Sequence, residues 1–380
     1  MLLAEVNVMG EPVRILQVVT DMNRGGLETM IMNYYRSIDR SRVQFDFLVH
    51  RSKKAAYDDE ILSMGGKIYS VPKLNPFSNG YKKSLNEFFQ THKEYRVIHV
   101  HQDCLSSVIL KAAKKNNVSV RIAHSHSSSQ DKNIKYLLKL FYMRSIPKYA
   151  TELFACSKAA GDWMFKGCSY KVVANAIDAE RFTYDANLSK QVRSELGIEE
   201  GDFVIGHVGR FSRVKNHTFL LDIFNEILKM NGQAKLIFVG SGDLEESIRE
   251  KANSLKIAEN VFFLGDRNDV YRVLQAVDVF VLPSLYEGLP VTLVEVQASG
   301  LKFIISDKVP VQSILINKLG KVISLDESPE SWAGQILDFV SGYKREDTYK
   351  EICNAGFDIK SSAHWLQNYY LEKYNNLKEE

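Results

Sequence analysis

Two glutamates, Glu287 and Glu295, bracket the segment Glu287-Gly-Leu-Pro-Val-Thr-Leu-Val-Glu295, which follows an apolar run ending in Leu-Pro-Ser. Pro290 suits the first turn of a helix, where its fixed φ is pre-set and its missing N–H costs nothing. Glu287 is then expected on the loop ahead of the helix and Glu295 inside it. The N–H groups that open a helix make a ready anion site. A carboxylate on each side could hold the hydroxyls of a sugar-bearing phosphate ester. The plainer reading is one loop carboxylate and one helix-face carboxylate. The Glu-Gly-Leu-Pro context after a strand favours the functional one.

Gly209-Arg210-Phe-Ser-Arg-Val-Lys215-Asn216 also follows an apolar run. Arg210 and Lys215 on a strand-to-helix connection suit a diphosphate, whose leaving charge they can neutralise. A solvated basic loop is the alternative. In Asn23-Arg24-Gly25-Gly26-Leu27-Glu28 the paired glycines allow close backbone approach to a ligand. Gly240-Ser-Gly242 reads as a plain strand-to-helix turn. No GxGxxG follows the first strand of either half, so the dehydrogenase fingerprint is absent. His99-Val-His101 and His124-Ser-His126 each lie at the end of a strand candidate. Imidazoles ligate metals, but the sequence has no Asp-x-Asp and only Asp103 flanks either pair closely. A hydrogen-bonding role in a cleft is expected for at least one histidine, and no protein-bound metal.

The elements that must position these residues alternate along the chain. Strand candidates are 13–20, 43–50, 67–71, 96–101, 118–124 and 152–157, with a helix from about Glu28 after the first. After a weaker stretch at 175–190, taken as the interdomain linker, come 203–210, 234–240, 260–265, 277–283 and 302–306. Most gaps carry apolar residues at helical spacing. Two strand–helix series predict an α/β protein of two doubly wound, Rossmann-like domains, with a cleft at the carboxyl ends of their strands. The expected boundaries are 1–185 and 186–360, with a helix at 361–380 packing back on the first domain.

At 380 residues, 45% hydrophobic and 25% charged, the chain suits two soluble domains and excludes a disordered or fibrous one. No run is long and apolar enough to span a bilayer. The opening MLLAEVNVMGEP lacks the marks of a secretory signal, and the four cysteines have no metal-ligand spacing. A cytoplasmic location is expected. Residues 1–185 hold 27 Lys and Arg against 18 Asp and Glu, a balance of +9. Residues 186–380 hold 22 against 28, a balance of −6. The first half is therefore expected to meet something anionic.

Together the motifs resemble the retaining GT-B glycosyltransferases of the family numbered four, over nearly the whole chain. The matching residues run from GGLE through the histidine after the fifth strand to Asn175-Ala-Ile-Asp178, GRFSRVKN, VGSGD, FFLGDRNDV and PSLYEGLPVTLVE. Within the family the chain looks like bacterial enzymes of exopolysaccharide and capsule assembly. The resemblance implies a nucleotide-sugar donor, with UDP as the favoured nucleotide, no metal or other cofactor, and hexosyl transfer with retention. It implies that Arg210 and Lys215 hold the diphosphate and that Glu295 takes the ribose hydroxyls. Glu287 with the backbone of Gly288 and Leu289 would hold the sugar, and the base would rest near Arg267. Gly26 would close over the phosphates, and His126, or His124 beside it, would touch the sugar. Ala176 stands where the family usually has glycine.

The acceptor implied is a saccharide or a lipid-linked saccharide. Residues 111–148 carry nine Lys and Arg against Asp131 alone. Ile134, Leu137, Leu138 and Phe141 fall on one helix face, with Lys132, Lys135 and Lys139 nearly opposite. Such a helix could lie on the anionic inner face of the cell membrane, or simply pack its apolar side on the sheet. No nucleic-acid motif is present. A non-catalytic nucleotide-sugar-binding subunit and a nucleotide-sugar hydrolase or epimerase of the same fold are the competing functions.

Overall fold

The computed structural model describes residues 11–127 and 136–378. It divides into two compact units. One runs to Ala176 and resumes at Ile359; the other is Ile177–Asp358.

The first unit is built on a seven-stranded, all-parallel sheet. In chain order its strands are β1 (Val13–Val19), β2 (Val43–Val49), β3 (Ile68–Ser70), β4 (Val97–Val100), β5 (Val120–Ser125), β6 (Glu152–Ala155) and β7 (Lys171–Val172). Their spatial order is β3-β2-β1-β4-β5-β6-β7. The alternation of a strand's side chains assigns each residue of β1 to a face. Leu16 and Val18 join Leu48, Ile98, Val100 and Ile109 on one side. Ile15 and Val19 join Phe45, Phe47, Tyr34 and the C-terminal helix Ile359–Asn375 on the other. Gln17 lies on that second face, a polar residue only 1% exposed in an otherwise apolar strand. Each large apolar side chain buried this way contributes about 1.5–3 kcal/mol.

The second unit repeats the plan with six parallel strands, β8 (Phe203–Val208), β9 (Ala234–Val239), β10 (Val261–Phe263), β11 (Val279–Leu282), β12 (Lys302–Ser306) and β13 (Gly320–Ile323). The order is β10-β9-β8-β11-β12-β13. In both sheets the order reverses beside the first strand, at β1/β4 and at β8/β11. Ligands of doubly wound folds bind outside the carboxyl ends of strands at that reversal. The two Rossmann-like sheets expected from the sequence are present.

Several details differ from expectation. β7 and β13 have no counterpart among the expected strands: β7 is two exposed residues and β13 a partly exposed edge, so neither leaves a buried apolar run. The first helix begins at Gly26, not Glu28. The chain passes between units at Ala176/Ile177, nine residues before the expected boundary, and returns at Ile359. Asp178 caps the helix Ala179–Phe182 by accepting from the Arg181 N–H, and Ala179 and Phe182 enter the second core. The helix read in the basic segment is Tyr136–Arg144, and Lys132, Ile134 and Lys135 lie outside the described residues. It packs through Leu140 and Met143, whereas Leu137 and Phe141 are 78% and 65% exposed. Of the two readings of this apolar face, membrane-facing or packed on the sheet, Leu137 and Phe141 do not follow the second, since both point outward.

Candidate active site

In the second unit the chain leaves β8 through Gly209 and Arg210. Phe211 anchors the loop, buried and stacked on His217 with ring centroids 4.4 Å apart. Its N–H donates to the Ser241 carbonyl and its carbonyl accepts from the Leu244 N–H. Gly240 makes this possible. Its φ is +132°, and a Cβ there would stand 2.3 Å from the Gly209 carbonyl oxygen. Gly240-Ser-Gly242 is thus no plain turn: it lets the loops after β8 and β9 touch backbone to backbone. Below them His207 is fully buried, with Nδ1 2.8 Å from the Val281 carbonyl.

The turn Arg213–Lys215 follows, and Asn216 takes a left-handed φ of +55° to open the helix His217–Met230. The loop after β11 is tied to that turn, because the Leu285 N–H donates to the Val214 carbonyl at 2.8 Å. Lys215 Nζ then meets Glu287 Oε1 at 2.7 Å, both side chains mostly buried. Ser284 Oγ donates to the same oxygen at 2.7 Å, and Ser306 Oγ holds the Ser284 carbonyl. Two motifs read separately in the sequence form one hydrogen-bonded group. Arg210 stands apart, 71% exposed and 3.5 Å from Asp243.

Gly288 is exposed and Leu289 partly so on the loop leading into the helix Val291–Ala298. Pro290 occupies the N-cap, one position before the first turn where the sequence placed it. Glu295 does lie inside the helix, and desolvation by burial pushes its carboxyl up to about 7. A carboxyl so shifted is a recurrent mark of a ligand site. Arg267 follows β10 with its guanidinium forked onto both Asp269 oxygens at 2.7 Å. That fork uses the Nε and Nη2 edge of the guanidinium and holds the side chain against its own loop.

In the first unit Gly26 starts the helix Gly26–Ser37, and a Cβ there would meet nothing within 4 Å. The protein's own packing does not require glycine at this place. At the β4 and β5 ends all four histidines converge. His99 Nε2 is 3.0 Å from His124 Nδ1, and His101 Nδ1 is 2.8 Å from His126 Nε2. His124 and His126 lie with ring centroids 4.1 Å apart. Burial depresses all four, taking His126 down to about 3. His99, His101 and His124 each offer a nitrogen within 4.8 Å of the others, an arrangement able to hold a metal. Holding one would break the imidazole–imidazole bonds, since a metal needs free lone pairs. Asp103, beside them, has a left-handed φ of +42° and a carboxyl raised by burial.

Three contributors escaped the sequence reading. In the sequence Ser284 reads only as the end of a strand. Gln17 had a legible signal, a lone amide in an apolar strand. Tyr370 was one of several tail aromatics, and only the returning helix brings its hydroxyl to His99, at 2.6 Å.

The family profile described as Glycosyltransferase Family 4 matches residues 24–181, and that described as Glycosyl transferases group 1 matches residues 189–354. EpsF of Bacillus subtilis (strain 168), provisionally named a glycosyltransferase, is 36% identical over 94% of this chain and 96% of its own. The capsular polysaccharide biosynthesis glycosyltransferase CapH of Staphylococcus aureus is 26% identical over 95% and 99%. Among solved structures, Anabaena Alr3699/HepE in complex with UDP superposes with a TM-score of 0.78 at 17% identity, covering 94% of this chain and all of that one. Its complex with UDP-glucose gives 0.75 over 97% and 100%.

Proposed function

Because the chain belongs to the group 1 glycosyltransferases and has the two-domain GT-B fold, we propose that it moves a sugar from a nucleoside diphosphate to a saccharide or lipid-linked saccharide, with retention of configuration. Exopolysaccharide or capsule assembly is the setting its relatives suggest. The observation that carries the reading is the Lys215–Glu287–Ser284 group at the β8/β11 reversal. It joins a cation and a carboxylate, the two groups a phosphorylated sugar would call on, which supports the reading. UDP is the proposed nucleotide, supported by the UDP and UDP-glucose bound to the Anabaena protein.

The chemistry follows from charge. As the bond from the anomeric carbon to the diphosphate oxygen breaks, negative charge grows on the phosphate and positive charge on the sugar ring. Arg210, Lys215 and the N-terminus of the helix Val291–Ala298 would stabilise the first. Glu287 would steady the ring and its hydroxyls, with Gly288 and Leu289 beside it. Glu295 would hold the ribose, the base would rest near Arg267, and Gly26 would close on the phosphates. The acceptor hydroxyl attacks from the face the diphosphate leaves and gives its proton to the departing oxygen. His126 would contact the sugar. With two cations to neutralise the diphosphate, catalysis would need no metal.

A peripheral membrane position for the first unit fits the exposed Leu137 and Phe141 together with the exposed Lys111, Lys114, Lys115, Arg144 and Lys148 of the same basic segment. Among the described residues no helix is long and apolar enough to cross a membrane.

The deciding experiment is a screen of nucleotide sugars by thermal shift, since ligands of the folded state stabilise it by mass action. Transfer to saccharide and lipid-linked acceptors is then measured in EDTA and in Mn²⁺. Acceptor-dependent transfer that survives EDTA is expected. Consumption of donor without acceptor would instead mark a hydrolase or epimerase, and activity restored only by Mn²⁺ would refute the metal-free scheme.

A further inference from the structure

The histidines at the β4 and β5 ends form two parallel relays that meet at one side chain. In the first, Tyr370 OH pairs with His99 Nδ1 at 2.6 Å and His99 Nε2 with His124 Nδ1 at 3.0 Å. In the second, Gln17 Oε1 pairs with His101 Nε2 at 2.9 Å and His101 Nδ1 with His126 Nε2 at 2.8 Å. The Gln17 amide nitrogen reaches Tyr370 OH at 3.5 Å, so a single carboxamide touches both. Gln17, Tyr370, His99, His101 and His124 are each at most 5% exposed. At the far ends His124 Nε2 and His126 Nδ1 are buried and have no hydrogen-bond partner among the described residues.

With the Gln17 carboxamide oriented so that Oε1 meets His101 and Nε2 meets Tyr370, donor and acceptor counting assigns the protons, because a neutral imidazole has one N–H and one lone pair. Gln17 Oε1 can only accept, so His101 donates from Nε2 and its Nδ1 is the lone pair. His126 must then donate from Nε2 to His101, which leaves His126 Nδ1 unprotonated. In the other relay the Gln17 amide donates to the Tyr370 oxygen. Among the described residues His99 Nδ1 is then the acceptor the structure gives the buried Tyr370 hydroxyl, so that proton goes to His99. His99 Nε2–H donates to His124 Nδ1, which leaves His124 Nε2 carrying a proton. All four imidazoles are thus the Nε2–H tautomer. One free end is an acceptor and the other a donor.

We propose that Gln17 is a positioning residue that sets both relays, so that His126 Nδ1 and His124 Nε2–H present an acceptor and a donor together, complementary to a hydroxyl group. The group recognised is a hydroxyl of the sugar substrate; this part rests on the glycosyl-transfer reading, whereas the tautomers do not. The relays also give the C-terminal helix a task. Its return to the first unit delivers the Tyr370 hydroxyl that polarises His99.

The test is ¹⁵N-histidine labelling of the full chain, with long-range ¹H–¹⁵N correlation to read each ring's protonated nitrogen. All four rings are expected as Nε2–H in the wild type. Gln17→Met should mix the tautomers of His101 and His126 and, by leaving the Tyr370 hydroxyl free to turn, those of His99 and His124. Tyr370→Phe should release His99 and His124 while His101 and His126 keep the wild-type pattern. A merely structural role would lower stability without moving these signals. Four Nδ1–H rings in the wild type would overturn the proposed polarity. Unchanged tautomers in folded Gln17→Met, or a purified protein carrying a stoichiometric transition metal on these rings, would overturn the relay. The ligand claim has a separate readout. Adding the nucleotide sugar that most stabilises the protein should shift the His126 Nδ1 and His124 Nε2 resonances. Confirmed tautomers with no such shift would discard the hydroxyl site and leave the relays standing.

Discussion

Lys215 and Glu287, 72 residues apart in sequence, meet at 2.7 Å because the loops after β8 and β11 are stitched together by the Leu285–Val214 backbone bond. The pair holds the lysine's charge at the end of the sheet before any ligand arrives, and Ser284 donates to the same Glu287 oxygen. A donor diphosphate would find its cation already oriented. Preorganised charge of this sort costs no reorganisation when the leaving group ionises.

Lys215→Ala should therefore cost about 2–4 kcal/mol in transfer, the scale of losing one oxyanion-type contact. Arg210→Ala should cost about the same, although it leaves the Lys215–Glu287 pair intact. The Lys215→Ala/Glu287→Gln double variant should be non-additive by about 0.5–3 kcal/mol, as for residues in direct contact. Steady-state kinetics of the single and double variants measure this. Near-wild-type turnover in Lys215→Ala would remove the diphosphate assignment.

If Glu295 holds the ribose as proposed, nucleotide binding should depend on pH. Its carboxyl is pushed up to about 7 by desolvation, so it is largely neutral below that pH and ionised above it. Only the ionised form has all its lone pairs free to accept from the ribose hydroxyls. Nucleotide affinity should rise as pH climbs from 6 to 8, by up to about tenfold per unit. Calorimetric titration of Glu295→Gln alongside the wild type separates this step from the nucleotide's own phosphate titration. Parallel pH profiles for the two proteins would contradict it.

The buried histidines predict loss of stability in mild acid. His99, His101, His124 and His126 titrate below their ordinary 6.5 in the folded state, chiefly through desolvation. As pH falls below about 6.5 the unfolded chain binds protons that the fold refuses, so the equilibrium shifts toward unfolding. Each ring costs up to about 1.4 kcal/mol per pH unit until its folded-state pKa is reached. Chemical unfolding at pH 7.5, 6.5 and 5.5 should show full stability at the first and a progressive fall through the others. A flat profile over that range would mean the rings are less desolvated than the structure places them.

The exposed face of the helix Tyr136–Arg144 predicts salt-sensitive membrane binding. The protein should co-sediment with anionic vesicles at low salt and leave them at 1 M, where the Debye length falls to about 3 Å. Leu137→Ser/Phe141→Ser should weaken the binding further, because inserted apolar area and basic charge act together. Nucleotide binding by the second unit should be unaffected. Indifference of the wild type to anionic vesicles would assign this face to something other than lipid.

The sequence by itself determined the alternation of strands and helices. Buried parallel strands must be near-continuous apolar runs, and VRILQVV, VQFDFLV and KFIIS are visible as such. It also exposed Arg210, Lys215, Glu287 and Glu295, because their spacing ties them to the end of a strand or the start of a helix. Strand β7 and the edge strand β13 stayed hidden, since two exposed residues or a half-exposed edge leave no apolar signature. What only the tertiary structure decided is which residues touch. Lys215 reaches Glu287 through the sheet's order reversal, which sets β11 beside β8. Gln17 acquires a partner because β4 lies next to β1 and because the chain returns at Ile359 to bring Tyr370. Local spacing governs a residue's place on its own strand or helix. Contacts between distant segments depend on strand order and crossovers, which a one-dimensional pattern does not encode.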